Sequence, residues 1–428
     1  MKGGPVVFIA LRYLLGRGKE GGRYLRGAAL GIALSLVPIV VTLVVADGMI
    51  QGITDRFLEL GSYHLEIFDQ RPGGEPATEA SAVRKLPGVS GAFVERQGLG
   101  ILVGKGGKSG ATVRAVAPDF LSDPGTARYL RSLDGVARLE GPSDALVGEE
   151  LARKTGAKVG DTVRLMTART TMDGRTVPKV SSFVVRGIVS SGYRELDSLW
   201  FFVPYEAGKL ALAPEASRSF IGVKIDDPYR SAETRALDLQ RALPAGFDVY
   251  TWYELQESQY RSYQSTRQLL LFIMALIVLV AAVNVASATT MLAVERRRDL
   301  AILKSFGAHP RDGERVLLLG ALFTGLAGSV AGLSVGLLIA VNVNGLIGGA
   351  ETILGWATRL VSFFSGSGKI DTPRLLDPGY YLETIPIAVD WAALAVIAAG
   401  ATACSALAAW VPAARAGRIA PLEILRKY

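Results

Sequence analysis

The 428-residue chain has one cysteine, Cys404, and two histidines, His64 and His309. A lone thiol can form neither an intrachain disulfide nor a thiolate metal cluster, and two imidazoles far apart in sequence argue against a zinc or haem centre. With so few of these side chains, no nucleophile, base and orienting acid can be assembled, so membrane-enzyme chemistry is poorly supported. A nucleotide loop is missing too. VGKGGKSG at 103–110 ends like a phosphate loop, but that pattern needs a glycine where Leu102 stands, and ATVRAVAP after it reads as strand instead of helix. A basic surface hairpin is the better account, and no ATPase is encoded. The expectation is that this chain binds no cofactor and no metal and has no catalytic residue.

Charge is nearly absent from four long runs, at 27–46, 268–294, 316–342 and 389–411. Each reaches the roughly 20 residues that a helix needs to cross a bilayer. The chain is 50% hydrophobic, with a mean hydropathy of +0.31, high for a soluble protein of this size. Pro38 in the first run removes a helical hydrogen bond and is expected to kink it, while Trp391 and Trp410 flank the fourth, where amphipathic rings prefer the interface. The formal charge of +8 does not point to nucleic acid, because the basic excess sits beside these runs. Residues 1–26 carry Lys2, Arg12, Arg17, Lys19, Arg23 and Arg26 against Glu20, and the tail at 412–428 carries Arg415, Arg418, Arg426 and Lys427 against Glu423. Together with the arginines of 295–315, they lie on one side of a four-span chain, and that side is expected to be cytoplasmic. Both termini are then cytoplasmic in a multi-pass protein, with 47–267 outside.

The fold class that follows is an α-helical membrane domain with four transmembrane helices, plus a large extracytoplasmic α+β domain between helices 1 and 2. Residues 1–26 are a cytoplasmic or interfacial segment. Beyond the first run the helix is expected to continue and then turn at Gly61 into a strand. Within 47–267, HLEIF, ATVRAV, SSFVVRGIVSS, WFFVP and SFIGVKI read as strands, and 144–166 reads as strand, short helix, turn and strand. The segment is large enough for its own core, in one lobe or two. Between the last two spans, 343–388 holds an amphipathic stretch: Glu351, Gly355, Arg359 and Ser362 on one side, Ile353, Trp356, Leu360 and Phe364 on another. Gly320, Gly325, Gly328, Gly332 and Gly336 give the third span small faces for close packing.

The stretch 295–315 lies between the second and third spans. In ERRRDLAILKSFG, Leu300, Leu303 and Phe306 recur every three residues, which predicts a short, partly amphipathic helix at the mouth of two spans. Such a helix could receive or deliver force, or could only fix topology.

With these parts in order, the chain resembles the permease subunits of lipoprotein-releasing ABC systems, within the wider group of macrolide-exporter and cell-division permeases. VERRRDLAILKSFGA looks like that family's coupling helix, and VPAARAGRIAPLEILR looks like its final segment. YYLETIPIAVDW and GIVSSGYRELDSLWFFVP resemble the lipoprotein-releasing branch in particular. The resemblance implies a permease pair in a bacterial inner membrane, identical or homologous, bound to cytoplasmic ABC ATPase subunits that hold ATP and Mg. The pair would extract acylated lipoproteins from among membrane phospholipid and pass them to a periplasmic lipoprotein carrier, with no nucleic acid involved.

It also implies roles for residues. Glu295, Arg297, Arg298, Leu300, Leu303, Lys304, Phe306 and Gly307 would couple to the ATPase. In MTARTTMDGRTVPK, 166–179, Arg169, Asp173, Gly174, Arg175, Val177 and Pro178 would form a carrier-binding hook, although the family's leading proline is absent. Val40, Leu43, Val44 and Met49 would line the lipoprotein access route. Two other readings stay open: a mechanotransmitting regulator of a periplasmic hydrolase, and an ABC exporter of small amphiphiles working with an adaptor.

Overall fold

The computed structural model describes residues 6–11, 21–71, 76–170, 175–365, 382 and 384–417. They divide into two compact units, 1–48 with 263–370 and 386–428, and 49–262 with 371–385.

Four helices of the described chain are long and apolar enough to cross a membrane. The first runs Gly21–Arg56 and continues through Pro38. The second runs Glu257–Glu295, the third Pro310–Val341 and the fourth Trp391–Gly417. Their common core in the helical unit includes Ile32, Leu36, Val40, Val285, Ala321 and Ala409. Three glycines explain how close the first and third helices come. A Cβ on Gly328, Gly332 or Gly336 would lie 2.8 Å from the Cβ of Ile32, Leu36 or Val40 respectively. Their spacing of four puts all three on one face, so the third helix presents a groove into which the branched side chains of the first insert. One ion cluster joins the ends remote from the connection between helices two and three: Arg267 Nε lies 3.0 Å from Asp47 and its Nη2 3.7 Å from Asp390. Asn342 caps the third helix, and a further helix, Val343–Ser365, follows at once. It starts before the amphipathic stretch read from sequence, because residues 343–350 are equally compatible with helix. Ile353 and Trp356 are exposed on it, while the side chains of Arg359, Leu360, Ser362 and Phe364 lie outside the described residues.

The second unit is built on one ten-stranded sheet: β1 (Leu65–Asp69), β2 (Val89–Val103), β3 (Lys108–Val116), β4 (Arg131–Gly135), β5 (Asp144–Gly148), β6 (Thr162–Thr170), β7 (Thr176–Ser190), β8 (Trp200–Pro204), β9 (Ser217–Ile225) and β10 (Phe247–Thr251). The strand order is β10-β1-β9-β2-β3-β8-β5-β7-β4, with β6 paired to both β2 and β7. The fifteen-residue β2 makes this possible. Its first part pairs with β9 from Val89 to Gly98, and its last residues, Ile101–Val103, pair along the same edge with β6. Strands β2-β3-β8-β5-β7-β6 therefore close on themselves.

Two hydrophobic cores result. Inside the closed part, alternate residues meet, among them Leu102, Val113, Val147, Leu165, Val185 and Phe201. In the open part, Leu65, Ile67, Val94, Ile221 and Val223 pack under helices Pro76–Val83 and Ala232–Ala242. Period two sends the intervening residues to the opposite face. That face holds His64, Glu66, Phe93, Glu95, Phe220 and Lys224, all buried.

Candidate functional site

Three places in the chain have the geometry to do work, and each grows from a local sequence rule. The first is the elbow between helices two and three. Helix Arg297–Ser305 follows the second long helix directly. It ends in a tight left-handed turn. Gly307 has φ +90°, its N–H donates to Lys304 O at 3.0 Å and that of Ala308 to Leu303 O at 3.1 Å. Only glycine takes this conformation without strain. Two residues later the third long helix begins. His309 Nδ1 accepts from the Arg311 N–H at 3.2 Å, Asp312 accepts from the His309 N–H at 3.1 Å, and Pro310 occupies the first helical position. Stop and start signals thus leave the elbow little freedom.

Its exposed face is Arg298, Ile302, Ser305 and Phe306, at helical positions i, i+4, i+7 and i+8. Phe306 is 86% exposed and Ile302 40%. Leu303, Lys304 and Glu295 are half-buried, and Ala301 is buried. The side chains of Arg297 and Leu300 lie outside the described residues. Spacing by three had joined Phe306 to Leu303. The structure joins it to Ile302, which the reading missed and which the i, i+4 rule could have found.

The second place is the β6–β7 hairpin. Thr162–Thr170 pairs with Val184–Thr176, but β6 pairs with β2 only as far as Met166. Beyond that point, among the described residues, the two strands pair only with each other and form an arm. Its base is held on helix Tyr205–Ala211: Thr167 Oγ1 donates to Ala211 O at 2.8 Å, and Lys179 Nζ donates to Leu210 O. Arg169, Arg175, Val177 and Pro178 are exposed along the arm, while Asp173 and Gly174 lie outside the described residues. Pro178 faces Ala168 in a stretch of β7 with no second neighbour, the position where a sheet tolerates proline. Register adds what sequence reasoning missed. Ile101, Met166 and Val180 are direct partners across β2, β6 and β7, and all three are exposed, with Leu99 and Leu210 also exposed. An apolar row thus runs across the outside of the closed sheet beneath the arm.

The third place is the root of the first long helix. After Arg56 the chain makes one π-turn, Phe57–Gly61, and Tyr63 adopts φ 54°. Its ring lies flat on Gly222, where a Cβ would come within 2.2 Å of it. Tyr63 Oη donates to Glu95 at 2.6 Å, and Arg114 forks onto the same carboxylate at 2.6 and 2.7 Å. The third arm of that guanidinium donates to Leu60 O, inside the π-turn. Trp200, Phe202 and Phe120 surround Arg114 at 4.8, 5.1 and 5.4 Å. Nearby, Lys224 Nζ bridges Glu59 at 2.7 Å and Asp123 at 2.6 Å. Burial pushes the Tyr63 phenol well above its ordinary value. Burial also pushes the Glu66 carboxyl up to about 8, and Arg218, 4.0 Å away, only partly opposes it. These groups hold the helix end to the sheet through charge-assisted bonds shielded from water. None was singled out in the sequence, since buried Arg, Lys and Glu there look like surface residues.

The residues assigned to lipoprotein access are placed differently. Val40, Leu43 and Val44 are buried in the helical core, and Met49 is half-buried. Val40, Leu43 and Val44 thus occupy the face of the first helix turned toward the chain's own helices. Its outward side carries Leu30, Leu34, Pro38 and Thr42, all exposed, while Val41 packs against the same core.

The MacB-like periplasmic core domain model matches residues 27–237. The FtsX-like permease C-terminal model matches 271–421. The chain is 26% identical over 425 residues to the lipoprotein-releasing system transmembrane protein LolC of Xylella fastidiosa (strain Temecula1), covering 98% of each chain. It is 23% identical over 435 residues to the transmembrane protein LolE of the same system in Haemophilus influenzae (strain Rd), covering 98% of this chain and 99% of that one. A macrolide export ATP-binding/permease protein MacB of Shewanella sp. (strain ANA-3) is 24% identical over 370 residues, which is 80% of this chain but 54% of that protein.

Proposed function

Because the chain belongs to the LolC/LolE-like permeases of the MacB/FtsX family, we propose that it is the transmembrane subunit of an ABC complex that releases lipoproteins from the inner membrane. The observation that carries this is the end-to-end match to transmembrane proteins of a lipoprotein-releasing system, 98% of both chains in one case. ATP hydrolysis resides in a separate cytoplasmic subunit, and a second permease, identical or homologous, completes the membrane part. The elbow faces the cytoplasm together with both termini and offers Phe306 and Ile302 to the ATPase, with Arg298 at the rim. Outside the membrane, the β6–β7 arm and the apolar row below it receive a soluble carrier through Val177, Pro178, Met166 and Val180.

Moving an acyl chain from the bilayer toward water costs about 0.8 kcal/mol per methylene, so release of an acylated protein demands an external energy source and a continuous apolar path. The root network serves this need by fastening the first helix to the sheet, so that motion of either is transmitted to the other. The exposed side of that helix, with Leu34, Pro38 and Thr42, is better placed for lipoprotein access than the inward-facing Val40, Leu43 and Val44.

The test is reconstitution of the chain with its ATPase in proteoliposomes carrying an acylated lipoprotein. ATP-dependent transfer of that lipoprotein to soluble carrier is expected. A complex that hydrolyses ATP and expels a small amphiphile while leaving the lipoprotein in place would instead support an exporter, the reading favoured by the partial match to the macrolide export protein.

A further inference from the structure

A groove of 570 Å³ lies between the second and fourth long helices, at the end where both terminate. Along the second helix its lining runs from Val283 to Val294, about 16 Å at 1.5 Å per residue. That matches the hydrocarbon depth of one leaflet, about half of 30 Å. The walls are apolar, with Val283, Ala286, Val294 and Val411. The two hydroxyls present, Ser287 and Thr290, donate to their own helix, to Val283 O at 3.1 Å and Ala286 O at 2.8 Å. The lining also includes Arg415, which is exposed and has no partner among the described residues.

The level of Arg415 follows from the opposite end of its helix. Asp390 caps that end, accepting from the N–H groups of Ala392 at 3.0 Å and Ala393 at 3.1 Å, and it belongs to the ion cluster with Arg267 and Asp47. From Asp390 to Arg415 the helix rises about 37 Å. A bilayer measures about 40–45 Å across with its headgroups, so both charges fall in headgroup layers of opposite leaflets.

We propose that this groove binds one anionic phospholipid of the leaflet on the elbow side, with its phosphate on Arg415 and an acyl chain along Val283 and Ala286. Charge decides between this occupant and a helix of a second copy. An apolar helix laid over the groove would bury an uncompensated guanidinium, which is strongly unfavourable, whereas a phosphodiester supplies the counter-charge at the right depth. The bound lipid would fill the space between the fourth helix and the second, which leads into the elbow, and so hold their spacing.

The experiment is native mass spectrometry of the full-length chain in non-denaturing detergent, titrated with phosphatidylglycerol or phosphatidylcholine. One phosphatidylglycerol should be retained at least fivefold more than phosphatidylcholine. Arg415→Gln should bring that ratio close to one, Arg415→Lys should keep most of it, and Ala286→Phe should lower retention of both lipids. Circular dichroism on each variant checks that the helices are intact. An unchanged preference in Arg415→Gln, or unchanged lipid retention in Ala286→Phe, would overturn the proposal. So would efficient disulfide cross-linking of two copies through Thr290→Cys in a Cys404→Ser background, because that places protein in the groove.

Discussion

Removing the Phe306 ring tests the elbow most directly. In the chain alone this side chain is 86% exposed, on a helix whose end is fixed by the Gly307 turn. If a partner covers it, burial of a phenylalanine contributes about 2 kcal/mol, and at 1.4 kcal/mol per factor of ten its loss weakens binding about 30-fold. Phe306→Ala should therefore lower the affinity for the ATPase subunit by about that factor, with little effect on the stability of the permease itself. Ile302→Ala should act in the same direction but less, since more of that side chain is already buried. Leu303→Ala should do the reverse, because Leu303 is half-buried against its own chain: less stability, and nearly unchanged affinity. Titrating detergent-purified permease against labelled ATPase, with thermal unfolding run on the same samples, separates the two effects. Should Leu303→Ala weaken binding more than Phe306→Ala, the assignment of faces is wrong. If neither Phe306→Ala nor Ile302→Ala changes affinity, the elbow does not dock there.

Three further outcomes are expected. Arg114→Met strands the Glu95 carboxylate and the Leu60 carbonyl and should cost about 3–5 kcal/mol in urea unfolding followed through Trp200, with partial recovery in the Arg114→Met, Glu95→Gln double variant. Glu66 holds its proton more tightly in the folded chain, at about 8, than in the unfolded one, near 4.3. Its contribution is therefore complete below about pH 4 and is lost as the pH rises toward 8, by at most about 5 kcal/mol. Glu66→Gln should thus stabilise the protein at pH 8.5 and not at pH 4.5, and equal curves at both would remove the argument. Replacing residues 175–178 with Gly-Ser-Gly-Ser should reduce carrier affinity at least tenfold in a direct binding assay on nanodisc-held complex, while ATPase assembly is unchanged. Full retention of carrier binding would move the docking surface elsewhere.

Much of the architecture is legible in the sequence because it follows from local physics. Long uncharged runs become long helices because a helix alone satisfies every backbone group within its own segment. Gly307, His309 and Pro310 announce where one helix stops and the next begins, because caps act within one turn. Strands such as WFFVP and SFIGVKI are visible as β-branched and aromatic runs, and the glycines of the third helix advertise close packing that Gly328, Gly332 and Gly336 provide.

What the sequence could not decide is which distant residues meet. That β2 serves two neighbours on one edge, closing six strands while opening onto three others, depends on pairings far apart in the chain. The apolar row of Ile101, Met166 and Val180 exists only through that register. The same holds for Arg114 and Lys224, whose burial depends on carboxylates brought to them by other strands and turns. Which side of an apolar helix faces inward is also a tertiary outcome, since the buried Leu36 and the exposed Leu34 look alike in a run with no polar face. Composition and local pattern therefore determined the parts and their order, while long-range pairing and packing decided which side chains are fastened and which are left to meet a partner.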